Sequence, residues 1–397
     1  MIRLSAVFLS VMFIVLLLLP QFGLLLNMRD EGENIQNRIP AQFPAVSSAS
    51  LLSALFSERL NEYVWDHLPL RSRLLSADHW IDYYVFKDSP VPEQVLLGRN
   101  GWLFFYYSVM IWPRKNAQIV EQFIALARRA QSIQKKTGME IIIMPSPSKA
   151  SIYPEFLTDY QQSEYTPYAS AFHDQLVMEA SSDVTTLLLL WDAFRQKKAR
   201  LLDEKFECAG IDKGACYLFH PRSRHFGWET AIYQAELIVD RMAPGIWRND
   251  FYEPFLTKVN FRASEMQQRF IKIDLPESYI DFRINEFLGE HEVSKTTRTI
   301  EKTDYRAIYF ETKDNATIRP VPKRVVVIHD SFMNKSMYLL IPYFQEMIFM
   351  HWNISDNKAF FSETIREADI LLIEAVEGFW HFKLNILGRI IEELESL

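Results

Sequence analysis

Two short segments carry the residue types of nucleophilic acyl chemistry. In "FHPRSRHFGWETA", residues 219–231, His225 stands just before a helix-periodic run; in "RVVVIHDSF", Ser331 follows a run of β-branched residues. A serine hydroxyl attacks an acyl carbon only when a base takes its proton, and an imidazole serves as that base when a third group, commonly a carboxylate, steadies the imidazolium. The position two before His225 is Ser223, which bears no charge. At a strand-to-helix junction the first helical N–H groups lack partners, so oxyanion donors are expected beside Ser331. Asp-Ser is equally a common helix cap, and Asp330 reads as a turn residue.

The elements that must position this pair alternate in type. Residues 116–136 read as an amphipathic helix stopped by Gly138, and "MEIIIMPSP" as a buried strand. "VTTLLLLWDAFRQKKA" reads as a strand entering a helix, Phe226 to Met242 as a helix, "RVVVIHD" as a strand, Asn334 to Met347 as a helix, and "ADILLIEAV" as a strand. Short apolar strands separated by helices predict an α/β fold, a mostly parallel central sheet with helices on both faces. Ligands of such sheets collect at the carboxyl ends of the strands, where "PSPSK", the loop before His225 and "HDSF" should meet. The expected organisation is an anchor over 1–28, a helical lead-in arm over 29–95 and the α/β domain over 96–397.

Lys and Arg total 43 against 50 Asp and Glu in 397 residues, a net charge of −7 that makes nucleic acid an unsuitable partner. Leu4 to Leu26 carries no charge and would span about 34 Å as a helix, which predicts a single-pass transmembrane anchor. Arg3 on one side, and Arg29 with Asp30, Glu31 and Glu33 on the other, place the bulk of the chain outside the cytoplasm, in an oxidising compartment. Cys208 and Cys216 flank the loop "CAGIDKGAC", which suggests a disulfide worth roughly 2.5 kcal/mol by loop entropy. No compact set of metal ligands accompanies them, so neither a metal nor a cofactor is expected.

Seven stretches, "ENIQNRIPAQFP", "WDHLPLRSRLL", "LLGRNGWLFF", "MPSPSKASIYPEFL", "SRHFGWETAIY", "VVVIHDSF" and "ADILLIEAVE", together resemble the SGNH-like alginate O-acetyltransferases of bacterial exopolysaccharide systems. The resemblance runs from about residue 33 to 378. It implies a circularly rearranged SGNH hydrolase-like fold, Ser331 as nucleophile and His225 as base. It also implies a polysaccharide acceptor, a membrane-bound O-acyltransferase as acetyl donor, and an inner-membrane protein with its bulk in the periplasm. This chain departs from the family pattern at Ser223 for Asp, Phe226 for Trp and His329 for Gly.

Loss of the acid matters because exchanging a serine protease's triad Asp for Asn lowers turnover about 10⁴-fold. A helix N-terminus disfavours an imidazolium by up to about 1 kcal/mol more. Three substitutes are available: the Ser223 hydroxyl or a backbone carbonyl, a carboxylate from Glu207, Asp212 or Glu229, or His329 acting as base. Lys149, Arg222, His329 and Asn334 are candidate substrate contacts, with His220 flanking the same loop. One or two of Trp102, Phe104, Phe105, Tyr106, Tyr107 and Trp112 would stack on sugar faces. The resemblance implies an O-acetyltransferase acting through a serine acyl-enzyme; the alternatives are an acetyl esterase and a noncatalytic relative that binds glycan or scaffolds acetylation machinery.

Overall fold

The computed structural model describes residues 7–8, 10–15, 18, 41–46, 53–67, 71–182, 184–202, 217–263, 265–266, 270–271, 273, 276–299, 306–314, 319–352 and 358–396. The chain divides into two units, 1–95 with 265–275, and 96–264 with 276–397. In the first, α1 (Ala54–Asp66) begins at Ser53, whose hydroxyl accepts the Phe56 N–H at 3.1 Å. Helix α2 (Arg71–Trp80) runs into a wider turn, Ile81–Phe86, and the His79 ring is hydrogen-bonded to the Ile271 carbonyl, which ties 265–275 to the helices.

The second unit is built on a six-stranded sheet of β1 (Glu140–Ser146), β2 (Val293–Thr299), β3 (Arg306–Thr312), β4 (Val321–His329), β5 (Phe344–His351) and β6 (Ile370–Val376). Its order is β1-β6-β4-β5-β3-β2. The first four run parallel, with Leu372 opposite both Ile142 and Val327; β3 and β2 join antiparallel. Every residue of β6 is buried, so both faces of the sheet's middle are covered.

Helix α3 (Trp112–Thr137) buries Val120, Phe123, Ile124, Ala127, Ala130 and Ile133 at three- and four-residue spacing, starts with Pro113 and stops at Gly138, whose φ of 78° suits a residue without a Cβ. It packs on α4 (Asp159–Ser181) and on the last helix, Trp380–Glu395. Helices α5 (Trp191–Leu202) and α6 (Trp228–Met242) follow in the chain. Each fully buried aliphatic or aromatic side chain of this core contributes about 1.5–3 kcal/mol.

Several expectations are corrected. The sheet is mixed because β3 and β2 join the parallel strands antiparallel, and the segment after Ser331 does not continue as a helix to Met347: it makes one short helix, Ser336–Leu340, a turn at Pro342, and then strand β5. Among the described residues no helix is long and apolar enough to cross a membrane. Much of Leu4 to Leu26 lies outside the described residues. The absence of such a helix overturns the single-pass anchor, with the inner-membrane location and the periplasmic placement; the membrane-bound O-acyltransferase donor, implied by the resemblance alone, has no support either. Cys208 and Cys216 lie outside the described residues, and their disulfide loses its support together with the oxidising compartment it presupposed.

Candidate active site

Strand β4 delivers Ser331 to the carboxyl edge of the sheet. The chain leaves the strand at His329, turns at Asp330, and forms one turn of 3-10 helix over Ser331–Met333. The Asp330 carboxylate fixes that turn by accepting the Phe332 N–H at 2.8 Å through Oδ1 and the Val376 N–H at 2.9 Å through Oδ2. The Phe332 N–H is therefore engaged by Asp330, and the Met333 N–H by the Asp330 carbonyl at 3.2 Å. Neither is the oxyanion donor expected from a helix start.

His225 arrives on a loop held from three sides. A bridge between Phe219 and Phe226 closes the loop. Beneath it the buried Lys149 ammonium donates to the carbonyls of Leu103 at 2.8 Å, Pro221 at 2.5 Å and Ser223 at 3.0 Å. Lys335 donates to the Phe226 carbonyl at 2.7 Å. Gly227 then caps α6 where a Cβ would sit 2.9 Å from His220 Nε2, so a larger residue would displace the His220 ring. The outcome is His225 Nε2 at 2.8 Å from Ser331 Oγ, with the imidazole ring 4.8 Å from that of Phe332. Both residues are partly exposed.

The other sequence candidates scatter. Lys149 is an internal brace, its amine lying over the Trp102 and Phe104 rings at 5.0 and 5.3 Å, rather than a group reaching into solvent. His329 is buried, bonded through Nδ1 to the Asp330 carbonyl at 2.9 Å, and burial pushes its imidazole down to about 4, which suits a neutral structural ring. Asn334 is exposed just past the Ser331 turn, and Arg222 and Ser223 are half-buried on the His225 loop. Glu229 turns toward Gly227 and His220, and burial raises its carboxyl to about 7. Glu207 and Asp212 lie outside the described residues. Of the aromatic set, Trp102, Phe104 and Trp112 are core, while Tyr107 is 43% exposed.

Two charged residues escaped the sequence reading. Arg224 lies over the Phe105 ring at 4.3 Å and acts electrostatically on Asp330. Glu374, fully buried in β6, accepts the Asp330 N–H at 3.1 Å through Oε2. Its signal was present as a lone carboxylate inside the apolar run "ILLIEAV". A cavity of about 930 Å³ sits elsewhere, at the amino ends of the parallel strands, where Arg324, Glu346, Glu367 and Asp369 line it.

The serine at the end of a central parallel strand is thus met by a histidine from the loop before a helix. In sequence comparison, residues 95–200 match the family model described as SGNH hydrolase-like domain, acetyltransferase AlgX. That segment holds Lys149 but neither His225 nor Ser331. The chain is 25% identical over 139 residues to the probable alginate O-acetylase AlgJ of Pseudomonas aeruginosa, a match covering 34% of this chain and 32% of that protein, so it spans about a third of the relative's length. Among solved structures it is similar to Bacillus cereus PatB1 with a sulfonyl adduct, at 14% identity and TM-score 0.47 over 71% of this chain and 93% of that one. It is likewise similar to the O-acetyltransferase domain of Pseudomonas putida AlgJ, at 14% identity and TM-score 0.46 over 76% and 99%.

Proposed function

We propose that the domain is a serine-dependent O-acetyltransferase that moves an acetyl group onto a hydroxyl of a polysaccharide. The observation that carries this reading is the 2.8 Å contact between His225 Nε2 and Ser331 Oγ, a distance at which a base takes the hydroxyl proton. In the first half-reaction that proton passes to Nε2, Oγ bonds to the acetyl carbon, and the donor's oxygen leaves with the proton. In the second, a sugar hydroxyl gives its proton to Nε2 and bonds to the same carbon, and Ser331 Oγ leaves protonated. Water in place of the sugar turns the same cycle into an esterase.

Ser223 in the place of the family acid favours a second reading, a noncatalytic relative that binds glycan. A chromogenic acetyl ester and a serine-directed phosphonate separate the two. Transfer requires turnover and an adduct mapped to the Ser331 peptide, both lost in Ser331→Ala and His225→Ala. A protein that neither turns over nor labels is the binding relative. Adding an oligosaccharide acceptor distinguishes transfer, which yields acetylated sugar, from hydrolysis.

A further inference from the structure

The helix that follows His225 and the segment that follows Ser331 are joined a second time, behind the pair, by a buried amide. Gln234 lies inside α6 and is 0% exposed. Its Nε2 donates at 3.0 Å to the hydroxyl oxygen of Ser146, the last residue of β1. Its Oε1 accepts from the Ser336 hydroxyl, which also reaches the Ala231 carbonyl at 3.3 Å. Ser146 and Ser336 are buried as completely as Gln234, so solvent does not compete for these bonds. Ser336 opens the short helix after the Ser331 turn, and its neighbour Lys335 holds the carbonyl of Phe226, the residue after His225, at 2.7 Å. Two consecutive residues on the Ser331 side therefore grip both ends of the stretch 226–234. Thr230 of α6 in turn donates to the Leu218 carbonyl at 2.7 Å, which ties the helix to the start of the His225 loop.

An amide inside a core is costly unless its bonds are made, and an apolar side chain of equal length fills the same space without that demand. What the amide adds is direction. Hydrogen bonds have a narrow range of length and angle, whereas apolar contact tolerates small slides of one element on another. Reacting groups must be held to within about 0.5 Å of their working geometry, and Gln234 makes oriented bonds to two different segments at the point where that geometry is set.

We infer that Gln234 is a positioning residue for the reactive pair: through Ser336 it fixes the Ser331 turn against the helix whose leading loop carries His225. It touches neither reacting atom and acts only through the segment it holds. The inference deepens the acyl-transfer reading and rests on it for its effect on turnover, while the hold itself is measurable in the resting protein.

The test is Gln234→Met in the full chain, which keeps the length of the side chain, removes both bonds and leaves Ser336 its Ala231 acceptor. In the folded variant kcat for a chromogenic acetyl ester falls about 10- to 100-fold with KM unchanged, and phosphonate labelling of Ser331 slows with it. Ser336→Ala does the same, and the double variant is no slower than the slower single one. Ile390→Val, a core truncation on the last helix, controls for lost stability and keeps kcat. The resting protein is read by hydrogen exchange. The Met333 and Asn334 amides, bonded to the Asp330 and Ser331 carbonyls, exchange faster in Gln234→Met, and those of β6 do not. Native kcat in Gln234→Met overturns the inference, as do losses that multiply in the double variant, an equal loss in Ile390→Val, or unchanged exchange at Met333 and Asn334. Should Gln234→Met fail to fold, Ser336→Ala decides by the same kcat and exchange readouts. If exchange changes as stated while the wild type never acylates Ser331, the transfer reading fails and the hold stands.

Discussion

His225 Nε2 and Ser331 Oγ meet at 2.8 Å although 106 residues separate them in the chain. The contact joins a loop that enters α6 to the turn that leaves β4, so it exists only when the sheet and helix are both assembled. If the two residues act as one unit, removing either costs as much as removing both. Ser331→Ala, His225→Ala and the double variant are therefore expected to lower acetyl-ester turnover to a common floor, about 10⁴-fold down. Stopped-flow and steady-state rates read this directly; losses that multiply in the double variant would mean the residues act separately.

Lys149 carries the second prediction. Its ammonium satisfies three backbone carbonyls, two of them on the His225 loop. Lys149→Met keeps the stem but removes the ammonium from all three, leaving Pro221 with the Leu103 N–H at 2.9 Å, a cost of about 2–4 kcal/mol. Urea unfolding should record that loss. Phosphonate labelling of Ser331 should slow in the folded variant, because the loop no longer holds its place.

The third concerns the buried cluster at Glu377, just past β6. Its carboxylate accepts from Ser148, from Tyr165 at 3.2 Å, from His173 at 3.0 Å and from Trp191 at 2.6 Å. Burial alone would raise this group, but His173 and the hydroxyl and indole donors more than offset it and hold it below its ordinary value of 4.5. A carboxyl depressed by folding stabilises the protein above the unfolded value, and that contribution fades as pH falls through the folded one. Glu377→Gln should cost about 3–5 kcal/mol at pH 7, with the gap to wild type closing at acid pH. A gap independent of pH would show that the charge contributes nothing.

Glu229 has the opposite sign. Burial lifts it from 4.5 to about 7, against its own backbone N–H and Lys335. Between those values the native state holds a proton that the unfolded chain has released, so stability falls as pH rises through the window. Glu229→Gln should melt close to wild type below pH 4.5 and gain on the order of 1–3 kcal/mol above pH 7. Thermal unfolding across pH 4–8 measures it, and a variant less stable than wild type at pH 8 contradicts it.

The parts of the fold written as strong local patterns were legible in the sequence. Strands β1, β4 and β6 are runs of Ile, Val and Leu, α3 has its Pro start and Gly stop, and the Ser331 and His225 junctions follow from them. The outer part of the sheet, from β5 to β2, was not. Strand β5, "FQEMIFMH", mixes four good helix formers, Gln345, Glu346, Met347 and Met350, with a single β-branched residue, and burial of Met347, Ile348, Phe349 and Met350 in the sheet decides the outcome. Strand β2, "VSKTTRT", is mostly exposed and offers no apolar alternation to read. Lys149 read as a substrate contact because its three acceptors come from residues 103, 221 and 223, and backbone carbonyls leave no trace in the side-chain pattern.

That internal ammonium also sets who owns the geometry of the pair. Because the imidazole's perch is fastened by a cation from a different stretch of the polymer, swapping the 219–231 segment between homologues would transplant the reactive ring without its foundation. Grafts intended to change specificity would have to carry Leu103 and Lys149 along with the loop they secure.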